Sequence, residues 1–177
     1  MPVQILEYGM GDFMLPCAEA YRKAVGEPNM VLRPVDTPFL EIEEDEEPTG
    51  KLQPIASSIL MKLLYGARIA RWDLLKGIQV MSTRVTKWNI SCDRAMHRLI
   101  CYVACTANHV LVGFVGDHPE TFRLQQYADA DFAGDRPGCK STSGAFLSLT
   151  GPHTHFPLAA NAVRQTFVAH STPAAVM

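Results

Sequence analysis

The chain of 177 residues has a formal net charge of −2, and 47% of its residues are hydrophobic. This composition supplies a hydrophobic core and excludes global disorder, and the length fits one ordinary domain or two small ones. No apolar run reaches the roughly 18 residues needed to span a bilayer, so we expect no membrane partner. An odd number of cysteines, five, and no leader-like N-terminal stretch favour free thiols and an intracellular, cytoplasmic or nuclear, location.

The first segment, residues 1–50, contains one predicted helix and an acidic run. Asp12 is the expected cap of a short helix that Gly26 closes. Six acidic residues lie between Glu41 and Glu47, and such a run is most often a solvated linker. We therefore expect a short helix followed by an acidic linker.

Residues 51–108 have the periodicity of three helices. Ile55, Ile59 and Leu63 share one stripe, a second stripe lies within residues 72–81, and Asp93 is the expected start of the third helix. The breaks between these patterns are short, which predicts a small helical bundle.

The same stretch is strongly basic. Between Lys51 and Arg98 there are nine Lys or Arg and two Asp, a net charge of +7. Nucleic-acid contact is therefore expected here. The candidate contacts are Arg68, Arg71, Arg84 and Lys87, with Trp72 and Trp88 nearby. The two rings either stack on bases or, as is commoner, are buried beside solvated basic residues.

After residue 108 the pattern changes to that of strands. The predicted strands are Val110–Val115, 121–131, 142–149, 153–158 and 163–169. Pro152 and Pro157 limit the strand at 153–158 to a short piece or a sheet edge. Ser171-Thr172-Pro173 is a predicted helix start. The whole chain is thus expected to have an α+β fold with an antiparallel sheet in segment 109–177.

One stretch of this last segment is unusual for a strand. YADADFAGDRPGCKSTSGAFLSL, residues 127–149, places Asp129 and Asp131 on one face, since side chains alternate with period two. Acidic residues are depleted from strands, so either a divalent metal or simple solvation has to explain them. Beyond a break at Pro137-Gly138, Lys140 and three hydroxyl residues suit either phosphate binding or hairpin chemistry.

This stretch resembles the start of the RNase H domain of copia-type retrotransposon polyproteins, where Y-x-D-A-D-W-A-G-D leads into K-S-T-S-G. Phe132 stands where Trp is usual. HSTPAAVM, residues 170–177, is similar to the family's S-S-T-x-A-E-Y segment, with Val176 at the position of the catalytic Glu. Residues 35–39, 59–75 and 93–106 resemble further blocks of the family, in the family's order.

The resemblance implies a palm-terminal remnant in residues 1–50, a thumb- or connection-like helical unit in 51–108 and an incomplete RNase H-like sheet in 109–177. It also implies that Asp129 is the remnant of a catalytic, metal-binding site, with Mg²⁺ as cofactor and an RNA–DNA hybrid as partner. The polymerase palm and most catalytic carboxylates of the family are missing from the sequence. We therefore expect a catalytically inactive fragment that binds nucleic acid weakly. Two alternatives stay open: a nuclease active only within a longer product or complex, and a structural or interaction module.

Overall fold

The computed structural model of the chain describes residues 2–42, 48–135 and 139–171. This part contains four α-helices and a five-stranded sheet, so the α+β class is confirmed. Most of the acidic run, the Pro137-Gly138 break, the helix start at Thr172 and the position of Val176 lie outside the described residues.

The chain divides into two compact units. The helical unit spans Gly9–Val110, and the sheet unit combines the N-terminal residues up to Tyr8 with the chain from Leu111 onward. This division differs from the three expected segments, because the first helix buries Met14, Cys17 and Tyr21 in the helical unit. The residues before that helix form a strand that the sequence pattern did not predict.

The helical unit contains α1 (Gly11–Val25), α2 (Gln53–Ile69), α3 (Leu75–Ser82) and α4 (Ile90–Cys105). Short 3-10 turns at Trp72–Leu74 and Val85–Lys87 precede α3 and α4. Gly26 ends α1 in the left-handed conformation at φ 81°, as its position predicted. The fully buried core includes Met14, Leu60, Leu63, Ile78, Met96, Leu99, Ile100 and Val103.

Both predicted helix starts were wrong by a few residues. Met10 precedes α1, and Asp12 lies inside its first turn. Asn89 caps α4, with its side-chain oxygen accepting a hydrogen bond from the N–H of Cys92 at 2.9 Å. Asp93 lies one turn further on, and its carboxylate is used elsewhere in the unit.

The sheet unit has the strand order β1–β2–β5–β4–β3. Its strands are β1 (Gln4–Gly9), β2 (Val110–Val115), β3 (Arg123–Asp135), β4 (Lys140–Gly151) and β5 (Thr154–Arg164). The pairs β2–β5, β5–β4 and β4–β3 are antiparallel.

The expectation that Pro157 confines its strand to an edge was wrong. Pro157 lies in β5, the middle strand, opposite Ser148. The pairing register shifts between Leu147 and Ser148, so the missing N–H of Pro157 falls where the regular ladder is already interrupted. Among the described residues, no helix is long and apolar enough to cross a membrane.

Candidate functional site

The candidate site lies on the hairpin formed by β3 and β4. The pairing places Asp129 opposite Gly144 and Asp131 opposite Thr142. The two halves of the YADADFAGD–KSTSG motif are therefore neighbours in space. Both carboxylates are exposed and share one face of the sheet.

Each carboxylate lies against the backbone of β3. Oδ1 of Asp129 accepts a hydrogen bond from the N–H of Ala130 at 2.8 Å. The carboxylate of Asp131 lies over Gly134, where any larger side chain would collide with it. A side chain at position 134 would therefore force the exposed Asp131 carboxylate to move.

Two hydroxyls that follow Lys140, those of Ser141 and Ser143, make hydrogen bonds within the sheet unit. Ser141 is buried, and its Oγ accepts from the N–H of Ala133 at 3.2 Å, where β3 adopts a positive φ of 53°. Oγ of Ser143 accepts from Nε2 of Gln165 at 2.7 Å. The first contact lies within the hairpin and fits the hairpin alternative, whereas the second joins β4 to the residue that follows β5. Lys140 itself is half-buried, opposite Asp135 in the register.

The donor set at Asp129 fits a magnesium ion only in part. Mg²⁺ takes oxygen ligands, commonly one or two carboxylates completed by water and substrate phosphates. Asp129 and Asp131 are alternate residues of a strand, with Cα atoms about 7 Å apart, so they suit one ion. Two-metal phosphodiester hydrolysis needs more carboxylates than this pair. Within the described residues, no three His, Cys, Asp or Glu side chains form a group able to hold a metal.

Arg68 and Lys87 are the accessible members of the predicted basic set. Arg68 is exposed in the last turn of α2, and Lys87 is exposed in the 3-10 turn Val85–Lys87, which packs against α2. Arg84 is half-buried just before that turn. These side chains supply positive charge to solvent on neighbouring elements.

Arg71, in contrast, is engaged inside the helical unit, with 2% of its surface exposed. Its guanidinium donates to both carboxylate oxygens of Asp73, at 3.0 and 2.8 Å. It also donates to the backbone oxygen and Oγ1 of Thr106, at 2.9 and 2.6 Å. Arg71 therefore ties the end of α2 to the end of α4 and does not offer its charge to a phosphate.

Trp88 is also buried, with 2% exposed, and is not available to stack on a base. Its indole N–H donates to Oδ1 of Asp93 at 2.7 Å. The same carboxylate accepts from the backbone N–H groups of Lys51, at 2.7 Å, and Leu52, at 3.1 Å. Asp93 thus stabilises the start of α2, where unpaired N–H groups favour a negative charge. Trp72 is half-buried.

Two side-chain clusters of the structure were not predicted from the sequence. Tyr127, Phe146, His155 and Phe114 form a row of rings, with successive centroids 6.0, 6.4 and 6.0 Å apart. Alternation along the strands could have predicted that Tyr127 and Phe146 are neighbours. The contacts of His155 and Phe114 depend on the order of strands in the sheet, which the sequence pattern does not give.

In the second cluster, His97 lies between Tyr21 and Cys101. The tyrosine hydroxyl is 3.1 Å from Nδ1 of His97, and Sγ of Cys101 is 3.5 Å from Nε2. Burial, helped by the Cys101, Asp93 and Glu27 charges, raises the pKa of Tyr21 to about 12. Burial also raises the pKa of Cys101. Both groups are thus held protonated at neutral pH, which suits a structural contact between α1 and α4.

Comparison with known proteins found no matching family model, no matching curated protein and no matching solved structure.

Proposed function

We propose that this chain is part of the reverse transcriptase–RNase H region of a copia-type retrotransposon polyprotein, and that it binds nucleic acid weakly without cleaving it. An RNA–DNA hybrid is the ligand class that the family resemblance implies. The observation that carries the proposal is the β3–β4 hairpin, which pairs the two halves of the motif in register, Asp129 opposite Gly144.

Binding is assigned to the exposed cations of the 51–98 stretch. Arg68 and Lys87 are accessible, whereas the charge of Arg71 is used internally. Lys and Arg that neutralise phosphates release counterions, so affinity falls as salt rises and does not depend on sequence. Binding that rests on phosphate contacts alone is weak, with dissociation constants of about 10⁻⁴–10⁻⁶ M at physiological salt.

Absence of cleavage follows from the carboxylates of the hairpin. Asp129 and Asp131 suit a single magnesium ion, which would supply charge neutralisation beside a phosphate. Oδ1 of Asp129 already accepts the N–H of Ala130, which leaves less of this carboxylate for a metal. The chemistry of strand scission needs a second ion, held by further carboxylates.

The test is fluorescence anisotropy of a labelled RNA–DNA hybrid titrated with the full chain at several salt concentrations. The variant Arg68→Glu/Lys87→Glu is compared with Lys23→Glu/Arg33→Glu, which makes the same charge change at exposed positions outside the 51–98 stretch. We expect only the first variant to weaken binding. Its slope of log K against log salt should fall by about 1.8, which is two phosphate contacts.

Salt-independent or strongly sequence-selective binding would contradict the proposal. So would equal losses in both variants, because the effect would then be one of net charge alone.

A further inference from the structure

β3 is the last strand of the sheet within the described part of the chain. β4 pairs with one of its edges, and no strand of the described residues pairs with the other. Its residues from Arg123 to Asp129 are all exposed, with Leu124 at 69% and Tyr127 at 53%. An open edge of this kind pairs readily with another strand.

Three contacts identify which backbone groups point outward. Oγ1 of Thr150, the residue opposite Arg123, donates to the Arg123 carbonyl, so that carbonyl faces β4. The N–H of Gln165 donates to the Ser141 carbonyl, so odd residues of β4 face β5. The N–H of Ala130 donates to its neighbour Asp129 instead of to β4. Backbone groups alternate along a strand, so Leu124, Gln126 and Ala128 present theirs to the open edge.

The side chains along this edge are complementary to those of the same edge in a second copy of the chain. In an antiparallel pair of two β3 strands centred on Gln126, Leu124 of one copy is opposite Ala128 of the other. The outward N–H and C=O groups of Leu124, Gln126 and Ala128 then form hydrogen bonds with those of the second copy. The N–H of Ala130, which is already bonded to Asp129, takes no part in this pairing. The same register puts Arg123 opposite Asp129 twice, once on each side of the two-fold axis. Arg123 is exposed and has no ion pair within the described residues.

We propose that the partner of this edge is a second copy of the chain. The two β3 strands pair antiparallel about a two-fold axis at Gln126, which joins the two sheets. Because the interface is the same surface on both copies, it closes at a dimer and does not grow. The Arg123–Asp129 pairs set the register, since opposite charges across a strand pair are favourable and like charges are not. This inference goes beyond the proposed function and does not depend on it.

The test is sedimentation equilibrium of the full chain over a wide concentration range. Arg123→Asp and Asp129→Arg alone should each weaken dimerisation by about tenfold or more, since each places like charges opposite each other twice. The double variant Arg123→Asp/Asp129→Arg should restore the wild-type dissociation constant within about threefold.

A backbone variant tests the edge independently of charge. Gln126→Pro removes an N–H that points outward, so the variant should keep its far-UV circular dichroism and become monomeric. Its control, Gln125→Pro, removes an N–H that faces β4 and should lower the melting temperature of the sheet.

A chain that is monomeric at all concentrations, or that grows beyond dimers, would overturn the proposal. So would rescue of Arg123→Asp by Asp131→Arg instead of Asp129→Arg, because the register would then be different.

Discussion

Replacing Arg71 by Met should destabilise the helical unit without removing a nucleic-acid contact. The guanidinium donates four hydrogen bonds, two to Thr106 and two to Asp73. Methionine fills much of the same volume but donates none of them. The substitution therefore tests whether Arg71 is a structural residue or the phosphate-binding residue that the sequence pattern suggested.

The loss of stability in Arg71→Met depends on which of the hydrogen-bond partners of Arg71 are buried. The bonds to Thr106 are buried, and leaving its carbonyl without a partner costs about 1–3 kcal/mol. The side chain of Asp73 is 35% exposed, so solvent screens its ion pair to about 1 kcal/mol or less. Together these predict a loss of about 1–4 kcal/mol in the free energy of unfolding.

The assay is urea unfolding followed by tryptophan fluorescence, because Trp72 and Trp88 both lie in the helical unit. Arg68→Met is the control at an exposed position of the same region, and it should change stability by about 0.5 kcal/mol or less. Arg71→Lys keeps the charge but not the planar fork, so it should stay destabilised. If Arg71→Met unfolds within about 0.5 kcal/mol of wild type, the internal tie between α2 and α4 does not stabilise the unit as the contacts imply.

Two further predictions concern the sheet unit. Gly113→Ala should destabilise the sheet unit by about 1–3 kcal/mol, because the new Cβ would lie 2.6 Å from the Phe156 ring. The control Gly144→Ala should be close to neutral, because the nearest atom to its new Cβ is 3.9 Å away. Equal melting temperatures for the two variants would refute this prediction. For Asp117, desolvation is the largest single effect and raises the pKa, but the hydrogen bonds from the Thr154 hydroxyl and the His153 N–H, with the charge of His153, together outweigh it, so the pKa is lowered. Its stabilisation is therefore complete above the unfolded value of about 3.9 and is lost as pH falls through the folded pKa. Thermal melts of Asp117→Asn should lie below wild type near neutral pH and converge with it in acid; a difference that persists in acid would contradict the assignment.

The sequence predicted the elements whose signals are local. The period of the α2 and α4 segments, the left-handed Gly26 and the strand Val110–Val115 follow from spacing and turn chemistry, and the structure confirms them. Pro157 was misread because the register shift that accommodates it depends on β4. The strand β1 was missed because its pairing partner lies about a hundred residues away along the chain.

The candidate site also contains some features that local sequence patterns predict and others that depend on tertiary contacts. Alternation along β3 predicts that Asp129 and Asp131 share one face, and the register agrees. The burial of Arg71 could not be predicted, because it depends on Thr106, which is 35 positions away in sequence. Asp93 was expected to start a helix, yet its carboxylate caps a different helix through Lys51 and Leu52. Residue type and spacing identify a charged side chain, but only tertiary neighbours decide whether it faces solvent.

The central claim is that the chain binds an RNA–DNA hybrid without cleaving it. Its most direct test is incubation of the purified chain and its Asp129→Asn variant with an end-labelled hybrid in Mg²⁺ or Mn²⁺, at protein concentrations where anisotropy shows the hybrid to be bound. We expect intact RNA in both samples throughout. RNA cleavage by the wild-type chain that disappears in Asp129→Asn would contradict it and assign Asp129 to a working nuclease.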